Sequence, residues 1–476
     1  IDNGLNTVYA DREGNIWIGS IAGLSIKEAL DSKFPNYANI PGQSNSLGSK
    51  EAFRFYEDSR KRLWIGLREG FDQFDREKQT FVHHRKRKDG KRIGTVMSFF
   101  EDSDNKLWIG TFDEGIYRYD VKTDTYQSFE GFDPVTNDKI MLRDIWFIQE
   151  APNHDLYIAS YSTGIYKFDK DRNAFYRIIW EGKTIPLAGI TAFHIDKNAS
   201  LWIGSNVEGL IKLNKEKNVY KVFKNNPTNK RTIASNDIST ISEDRKGNLW
   251  IGTKGGLSYL DTQKNIFTNY TEADGLNNNQ IHGILEDAKG HIWLSTHKGI
   301  SEFDSKTKTF RNYSINNGFD FNEFLERSAL KLSSGEMVFG GLNGFNLFNP
   351  EKLVLNTAIP EVFIIDFELF NKSVSLDDEN SPLSKAILET EEIHLSYKQN
   401  VFSFDFIAGN LSRTKENQYA YQLEGFEKDW NYVGTTRKAS YTNIPPGEYT
   451  FRVKASNNDG IWNKTGKSIK IYIEPP

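Results

Sequence analysis

Three features of the 476-residue sequence predict an all-β chain in which a β-propeller is followed by an immunoglobulin/fibronectin III-like β-sandwich. A tryptophan-centred segment recurs about every 45 residues along most of the length. Strand and turn formers dominate, with 33 Phe, 21 Tyr, 10 Trp and 37 Gly, and long helical patterns are missing. Beyond about residue 355 the period stops and short alternating strands follow.

The repeat reads DRKGNLWIGTKGGLSYLD from Asp244 to Asp261. Aligning on the aromatic of W-I-G gives Trp17, Trp64, Trp108, Tyr157, Trp202, Trp250, Trp293 and Phe339, eight copies spaced by 43 to 49 residues. In each, a β-prone run such as Ile238 to Asp244 meets a polar turn, then a short strand from Leu249 to Thr253. A turn at Gly255 and Gly256, a strand from Leu257 to Leu260 and a turn opened by Asp261 follow. Six residues beyond that turn stands an aromatic, as in Asp75 to Phe81, Asp120 to Tyr126, Asp169 to Phe175 and Asp304 to Phe310. Four short strands in this length make a propeller blade, which cannot bury both faces alone and so stacks in a ring. The Gly of W-I-G is expected at a close backbone approach. Leucine-rich repeats need a shorter period, and helical solenoids a 3.6-residue one.

The eighth copy lacks its outer strand, since six residues past Asn349 stands Leu355. The first copy carries an outer segment at Phe34 and Tyr37, which could pair with the last blade and remove its open edge. Seven blades in residues 31–355 are therefore favoured, with residues 1–30 the remnant of a preceding propeller blade. The alternative is an eight-bladed ring in which residues 1–30 are the first blade. Residues 356–476 hold seven strand-like segments, among them VFIIDFELF and NVFSFDFIAG, which suit a sandwich. Tyr449, Phe451, Val453 and Ala455 should face one side, with Thr450, Arg452 and Lys454 on the other.

ISTISEDRKGNLWIGTKGGLSYLD resembles the two-component regulator propeller repeat, and YAYQLEGFEKDWNYVG with ASYTNIPPGEYTFRVKASNNDGIW resembles the Y-Y-Y domain that follows such propellers. Together they cover nearly the whole chain. The resemblance implies the periplasmic sensor half of a Bacteroides-type hybrid two-component histidine kinase of the inner membrane. Such a domain binds glycan fragments, neutral or acidic, dimerises with its own kind, and switches polysaccharide-utilisation genes. A membrane helix would follow near Pro476, and the kinase activity would lie in a cytoplasmic part outside this chain. The copies reading LYIAS and MVFGG depart from the W-I-G wording, so the blades are not equivalent.

A net charge of −4 offers no global attraction for nucleic acid or anionic membrane. The absence of cysteine excludes disulfides, thiolate metal sites and Cys nucleophiles. No stretch approaches the roughly 20 apolar residues of a membrane span, and Ile1 opens directly on a repeat.

The recurring Asp58, Asp102, Asp196, Asp244 and Asp287 read as turn formers and not as the paired carboxylates of glycoside hydrolysis. His194, His282, His291, His297 and His394 lack metal-ligand spacing, and no cofactor or metal is expected. The run HHRKRKDGKR, His83 to Arg92, could hold a sulfated or uronic glycan but reads more simply as a solvated loop.

Specificity is sought where the copies disagree. The inner strand starts fourteen residues before the W-I-G aromatic, at Asn3, Lys50, Gly94, Arg143, Ala188, Asn236, Asn279 and Leu325. Three residues further in, Ser239 corresponds to Phe53, Trp146 and His282. A ligand site at the mouth of the central funnel is thus assigned to Lys50, Arg143, Trp146, Asn236, Asn279 and His282, with no catalytic residue. The competing simple reading packs Trp146 between blades and leaves Lys50 merely exposed. A propeller glycosidase or lyase, or a protein-binding scaffold, are the alternative functions.

Overall fold

A computed structural model describes residues 5–11, 15–21, 23–27, 34–180, 183–184, 189–214, 219–313, 323–378 and 381–476. It forms two compact units, Phe34–Lys352 and a second made of Ile1–Lys33 with Leu353–Pro476.

In the first unit, each copy from the second to the eighth builds one antiparallel sheet in which strands follow sequence order from inside to outside. We number these blades 1 to 7. The copy quoted above is blade 5, with strands Ile238–Glu243, Leu249–Thr253, Gly256–Asp261 and Ile266–Tyr270. Blade 3 carries an added hairpin, Gly131–Phe132 with Lys139–Ile140, on its outer edge. Each inner strand lies beside the next, and that of blade 7, Phe324–Lys331, returns to that of blade 1, Arg54–Glu57. The outer strand of blade 7 is Asn36–Tyr37, which pairs with Gly344–Phe348 and covers the edge that copy would otherwise expose.

Within a blade, one carboxylate organises the first hairpin. Asp58 Oδ1 accepts from the backbone N–H groups of Arg60 and Arg62, and its Oδ2 accepts from the Trp64 indole at 2.8 Å. The indole bond repeats at Trp108 to Asp102 (2.7 Å), Trp202 to Asp196 (2.9 Å) and Trp293 to Asp287 (3.2 Å). These tryptophans are nearly fully buried, so their N–H groups need a partner. In blade 5 Asp244 Oδ2 is approached instead by the Tyr259 hydroxyl at 3.4 Å. In blades 1, 2, 3, 5 and 6 the second Asp of the repeat caps the outer hairpin, as Asp261 Oδ1 does for the N–H groups of Gln263 and Lys264.

Blade 7 corrects the alignment of its copy. Val338 pairs with Leu330 and Leu347, and Gly340 with Phe345, as Trp250 pairs with Ser242 and Tyr259 and Gly252 with Leu257. Val338, not Phe339, therefore occupies the tryptophan position, and V-F-G replaces W-I-G. Blades 1, 2, 4, 5 and 7 approach their neighbours closely at this glycine, which is Ala159 in blade 3 and Ser295 in blade 6. A Cβ on Gly66 would lie 2.5 Å from the Val96 carbonyl oxygen of the next blade. Hydroxyls add further ties between inner strands: Ser98 donates to Ile145 O (2.8 Å), Ser328 to Ala52 O (2.6 Å), and Thr191 and Ser239 to Ile238 O and Ile281 O.

The second unit is a sandwich of a four-stranded and a five-stranded sheet. Phe451, Val453 and Ala455 are fully buried with Phe402, Phe404 and Phe406, while Thr450, Arg452 and Lys454 lie on the partly exposed opposite face. Buried asparagines replace apolar packing at one end. Asn356 donates to Asn410 (3.0 Å) and Asn458 (2.9 Å), and Asn457 donates to the carbonyls of Asn356 and Ala358. The first repeat groups with this unit and not with the ring, as three strands, Leu5–Ala10, Ile16–Ser20 and Gly23–Lys27. It keeps the bracket between Trp17 and Asp11 (2.8 Å), and Asn15 Nδ2 donates to Ser412 Oγ of the sandwich at 3.0 Å.

Asp196→Ala should lower stability by about 3 kcal/mol, because it orphans a buried indole N–H and two turn N–H groups. Trp202→Phe on that background should add less than it costs alone, as read by urea denaturation in a double-mutant cycle. Strict additivity would contradict the bracket.

Candidate ligand site at the mouth of the ring

At the end of the channel where the inner strands begin, two sets of residues converge. One set is the third position of each inner strand, which counted by strand pairing is Phe53, Met97, Trp146, Thr191, Ser239, His282 and Arg327. The other is the turn that follows each second strand, Arg68, Phe112, Tyr161, Asn206, Lys254 and His297 in blades 1 to 6. Backbone hydrogen bonds chain these turns to the strand starts. Phe112 N donates to Thr95 O, Asp144 N to Phe112 O, Tyr161 N to Asp144 O, Gly189 N to Tyr161 O and Asn206 N to Gly189 O. From blade 2 to blade 4 the rim is therefore a linked backbone frame on which side chains vary.

Trp146 is half-buried, tilted against Tyr161 with ring centroids 4.4 Å apart, and the Arg327 guanidinium lies 4.2 Å from its ring centre. Blades 3 and 7 are not neighbours, so Arg327 reaches across the channel; its Nη1 also donates to Thr191 O at 2.8 Å. His282 is 5% exposed and stands edge-on to His297 at 4.3 Å. Burial, reinforced by His297, Arg327 and Lys254, pushes its pKa down to about 3, so the ring is neutral at pH 7. Lys254 pairs with Asp237 at 2.8 Å, and Arg68 with Glu51 at 2.6 Å.

The other residues assigned from the sequence lie elsewhere or are engaged. Lys50 is exposed and its carbonyl accepts from Gly344 N. Arg143 is exposed, 3.9 Å from Asp144. Asn236 Oδ1 accepts from Asn225 N (2.7 Å) and Asn279 Oδ1 from Glu272 N (2.9 Å), so both amide oxygens close loops. Asn3 and Ala188 fall outside the described residues. Arg327, Tyr161, His297 and Lys254 were missed. For Arg327 the signal was present: counting from Phe339 puts Ser328 at the third position, whereas aligning V-F-G with W-I-G puts Arg327 there.

The basic run is engaged within blade 1 and its neighbour. Asp72 binds His83 (2.9 Å) and Arg85 (2.6 Å), Arg92 pairs with Asp113 and Glu114, and Arg87 lies over Tyr117. Asp287, His291 and Glu302 converge within 4.8 Å, yet Asp287 already accepts from the N–H groups of Lys289 and His291 and the Trp293 indole. A cavity of about 490 Å³ between blades 3 and 4, bordered by Tyr157, Tyr176 and Trp180, has its cations matched: Lys167 with Asp155 and Arg177 with Asp133.

Comparison with known proteins meets this geometry. The two-component regulator propeller repeat matches residues 90–113, 232–255 and 275–298, and the Y_Y_Y domain matches residues 410–474. The chain carries two-component regulator propeller repeats and a Y_Y_Y domain. Over 99% of its length it is similar to the extracellular domain of a hybrid two-component system of B. thetaiotaomicron, at 25% identity and a TM-score of 0.82, covering 62% of that chain. A second B. thetaiotaomicron extracellular domain, 22% identical with a TM-score of 0.53 and 63% covered, shares the fold. Histidine kinase P4 of Formosa agariphila is 26% identical over 378 residues, 77% of this chain and 23% of that protein. The chain thus spans about three fifths of the first ectodomain and under a quarter of the kinase. Its architecture resembles that of the extracellular domain of a hybrid two-component system. Among the described residues no helix is long and apolar enough to cross a membrane.

His282 gives a pH test. The unfolded chain takes up a proton below about pH 6.5 that the folded ring refuses until about pH 3, so this group contributes stability at neutral pH that is lost as pH falls through that window. Wild type should lose about 1.4 kcal/mol per pH unit more than His282→Gln between pH 6 and 4.5, measured by urea denaturation. Parallel profiles would contradict the buried neutral ring.

Proposed function

We propose that the chain is the periplasmic sensing part of a hybrid two-component histidine kinase, binding an oligosaccharide at the mouth of its ring. One observation carries this reading: on an otherwise repeating frame, the third inner-strand positions and the rim turns bring Trp146, Tyr161, His282, His297, Lys254 and Arg327 together. Aromatic faces with nearby hydrogen-bonding and charged groups suit sugar recognition, where a CH-rich face stacks and hydroxyls are bonded at the edge. Phe112, 49% exposed on the same rim, extends the apolar surface. The rim turns of blades 2 to 4 are held by linked backbone bonds, so side-chain variation there changes ligand choice without unsettling the blades.

Signalling requires that the ligand favour one of two arrangements of the whole protein, by as much as its affinity differs between them, commonly about 1–3 kcal/mol. In this proposal the Y_Y_Y domain passes that bias to a following membrane helix, the sensor works as a homodimer, and the output is expression of polysaccharide-utilisation genes. The first repeat, with Val8, Tyr9, Ile21 and Leu24 exposed, is read as a blade belonging to a preceding ring.

Calorimetric titration with a library of neutral and acidic oligosaccharides tests the reading. For a sugar that binds, Trp146→Ala and Tyr161→Ala should each weaken affinity about tenfold, through loss of the aromatic pair. Lys50→Ala and Arg143→Ala, both exposed, should change it by less than about threefold. Undiminished affinity in both aromatic variants, or turnover of the sugar, would remove the proposal; a co-purifying protein with no sugar bound would favour a scaffold.

A further inference from the structure

We infer that the throat of the ring is an anion site, in which a carboxylate, sulfate or phosphate group sits between Arg54 and Arg327. This rests on the mouth being the sensing site and narrows its ligand to one that carries such a group. The two guanidinium groups come from the inner strands of adjoining blades 1 and 7 and line one cavity of about 240 Å³, with Thr240 and Ser242 on its far wall. Arg54 is 8% exposed and the Arg327 side chain 11%.

Neither arginine is satisfied by protein. Arg54 Nη1 donates to the carbonyls of Phe53 (2.9 Å) and Glu326 (3.1 Å), while its buried Nη2 has no partner. Arg327 uses Nη1 for Thr191 O and Nη2 for Glu326 (3.1 Å), leaving its buried Nε unpartnered. Buried charged donors left open are costly, and two like charges on one cavity repel. Burial and this repulsion hold the Arg54 guanidinium well below its usual pKa. The carboxylates at hand do not supply the missing acceptors. Asp237 is bound to Lys254, and Glu326 meets only one edge of Arg327. With His282 neutral, Arg54, Arg327 and Lys254 stand against Asp237 and Glu326, a net positive throat.

The backbone is distorted to create this arrangement. In blades 2 to 6 the inner strand carries one extra residue at its bulge, as from Ile238–Thr253 to Thr240–Gly252. In blade 7 the pairing runs from Phe324–Gly341 to Ala329–Phe339, and Arg327 adopts φ 63°. A left-handed arginine is a strained conformation of the sort kept at ligand clamps. A cavity this small admits a single anionic group and not an oligosaccharide, and the planar guanidinium fork matches oxyanion geometry.

Melting temperature with a few millimolar sodium sulfate, phosphate or glucuronate, against sodium chloride of equal ionic strength and against glucose, tests the site. Wild type should rise by about 2–4 °C with at least one of these anions, and the Arg54→Gln/Arg327→Gln double variant should not. A response to sulfate or phosphate points to a free oxyanion or an esterified sugar, and a response to glucuronate alone to a uronic acid; either supports the site. Should the double variant fail to fold, titration of sulfate and glucuronate into wild type by calorimetry decides, saturable heat supporting the site and its absence for both overturning it. No anion-specific rise, or an equal rise in wild type and variant, overturns the inference. Neutral oligosaccharide binding in that case would leave the sensing proposal standing.

Discussion

In blades 1, 2, 4 and 6 the first hairpin depends on a single carboxylate that serves two kinds of donor. One oxygen of Asp58, Asp102, Asp196 or Asp287 closes the turn of the first hairpin by accepting backbone N–H groups, and the other accepts the indole N–H of the tryptophan six residues on. The turn thus fixes where the second strand begins, and the indole fixes which side chain fills the space between sheets. The requirement is mutual. Blade 3 has Ala151 in place of the Asp and Tyr157 in place of the Trp, and blade 7 has Leu332 and Val338. A buried indole without an acceptor is unfavourable, so losing one partner removes the reason to keep the other.

With the blade register held at its first hairpin, the start of the inner strand is free to change. Ser98, Thr191, Ser239 and Ser328 use that freedom conservatively, each tying its strand to the next blade. Trp146 and His282 occupy strand starts that lack such a hydroxyl tie, and there the side chains belong to the channel mouth. Arg327 goes further: a wider bulge and a left-handed backbone carry it across the opening to Trp146. The same residues that break the repeat are the ones that define a surface.

Much of this was legible in the sequence because it is periodic. The blade pattern, the sandwich and the inward face of Phe451, Val453 and Ala455 follow from alternation and turn residues. Trp146 and His282 were found as departures from a repeat. What was not legible depends on geometry between distant segments. Arg327 sits across the ring from Trp146, and no local pattern brings the two together. Asn236 and Asn279 look like recurrent mouth residues in one dimension, yet their oxygens face their own loops. Phe339 attracted the alignment because it is aromatic, while strand pairing gives the position to Val338.

Hydrogen–deuterium exchange of the protein with the first oligosaccharide found to bind it tests the central proposal most directly, that the mouth where the frame departs from repetition is where ligand is read. Protection should gather at residues 142–146, 160–163, 280–284 and 324–329, with the first hairpins of the blades unchanged. Protection confined to the cavity between blades 3 and 4, around Tyr157 and Trp180, would contradict it.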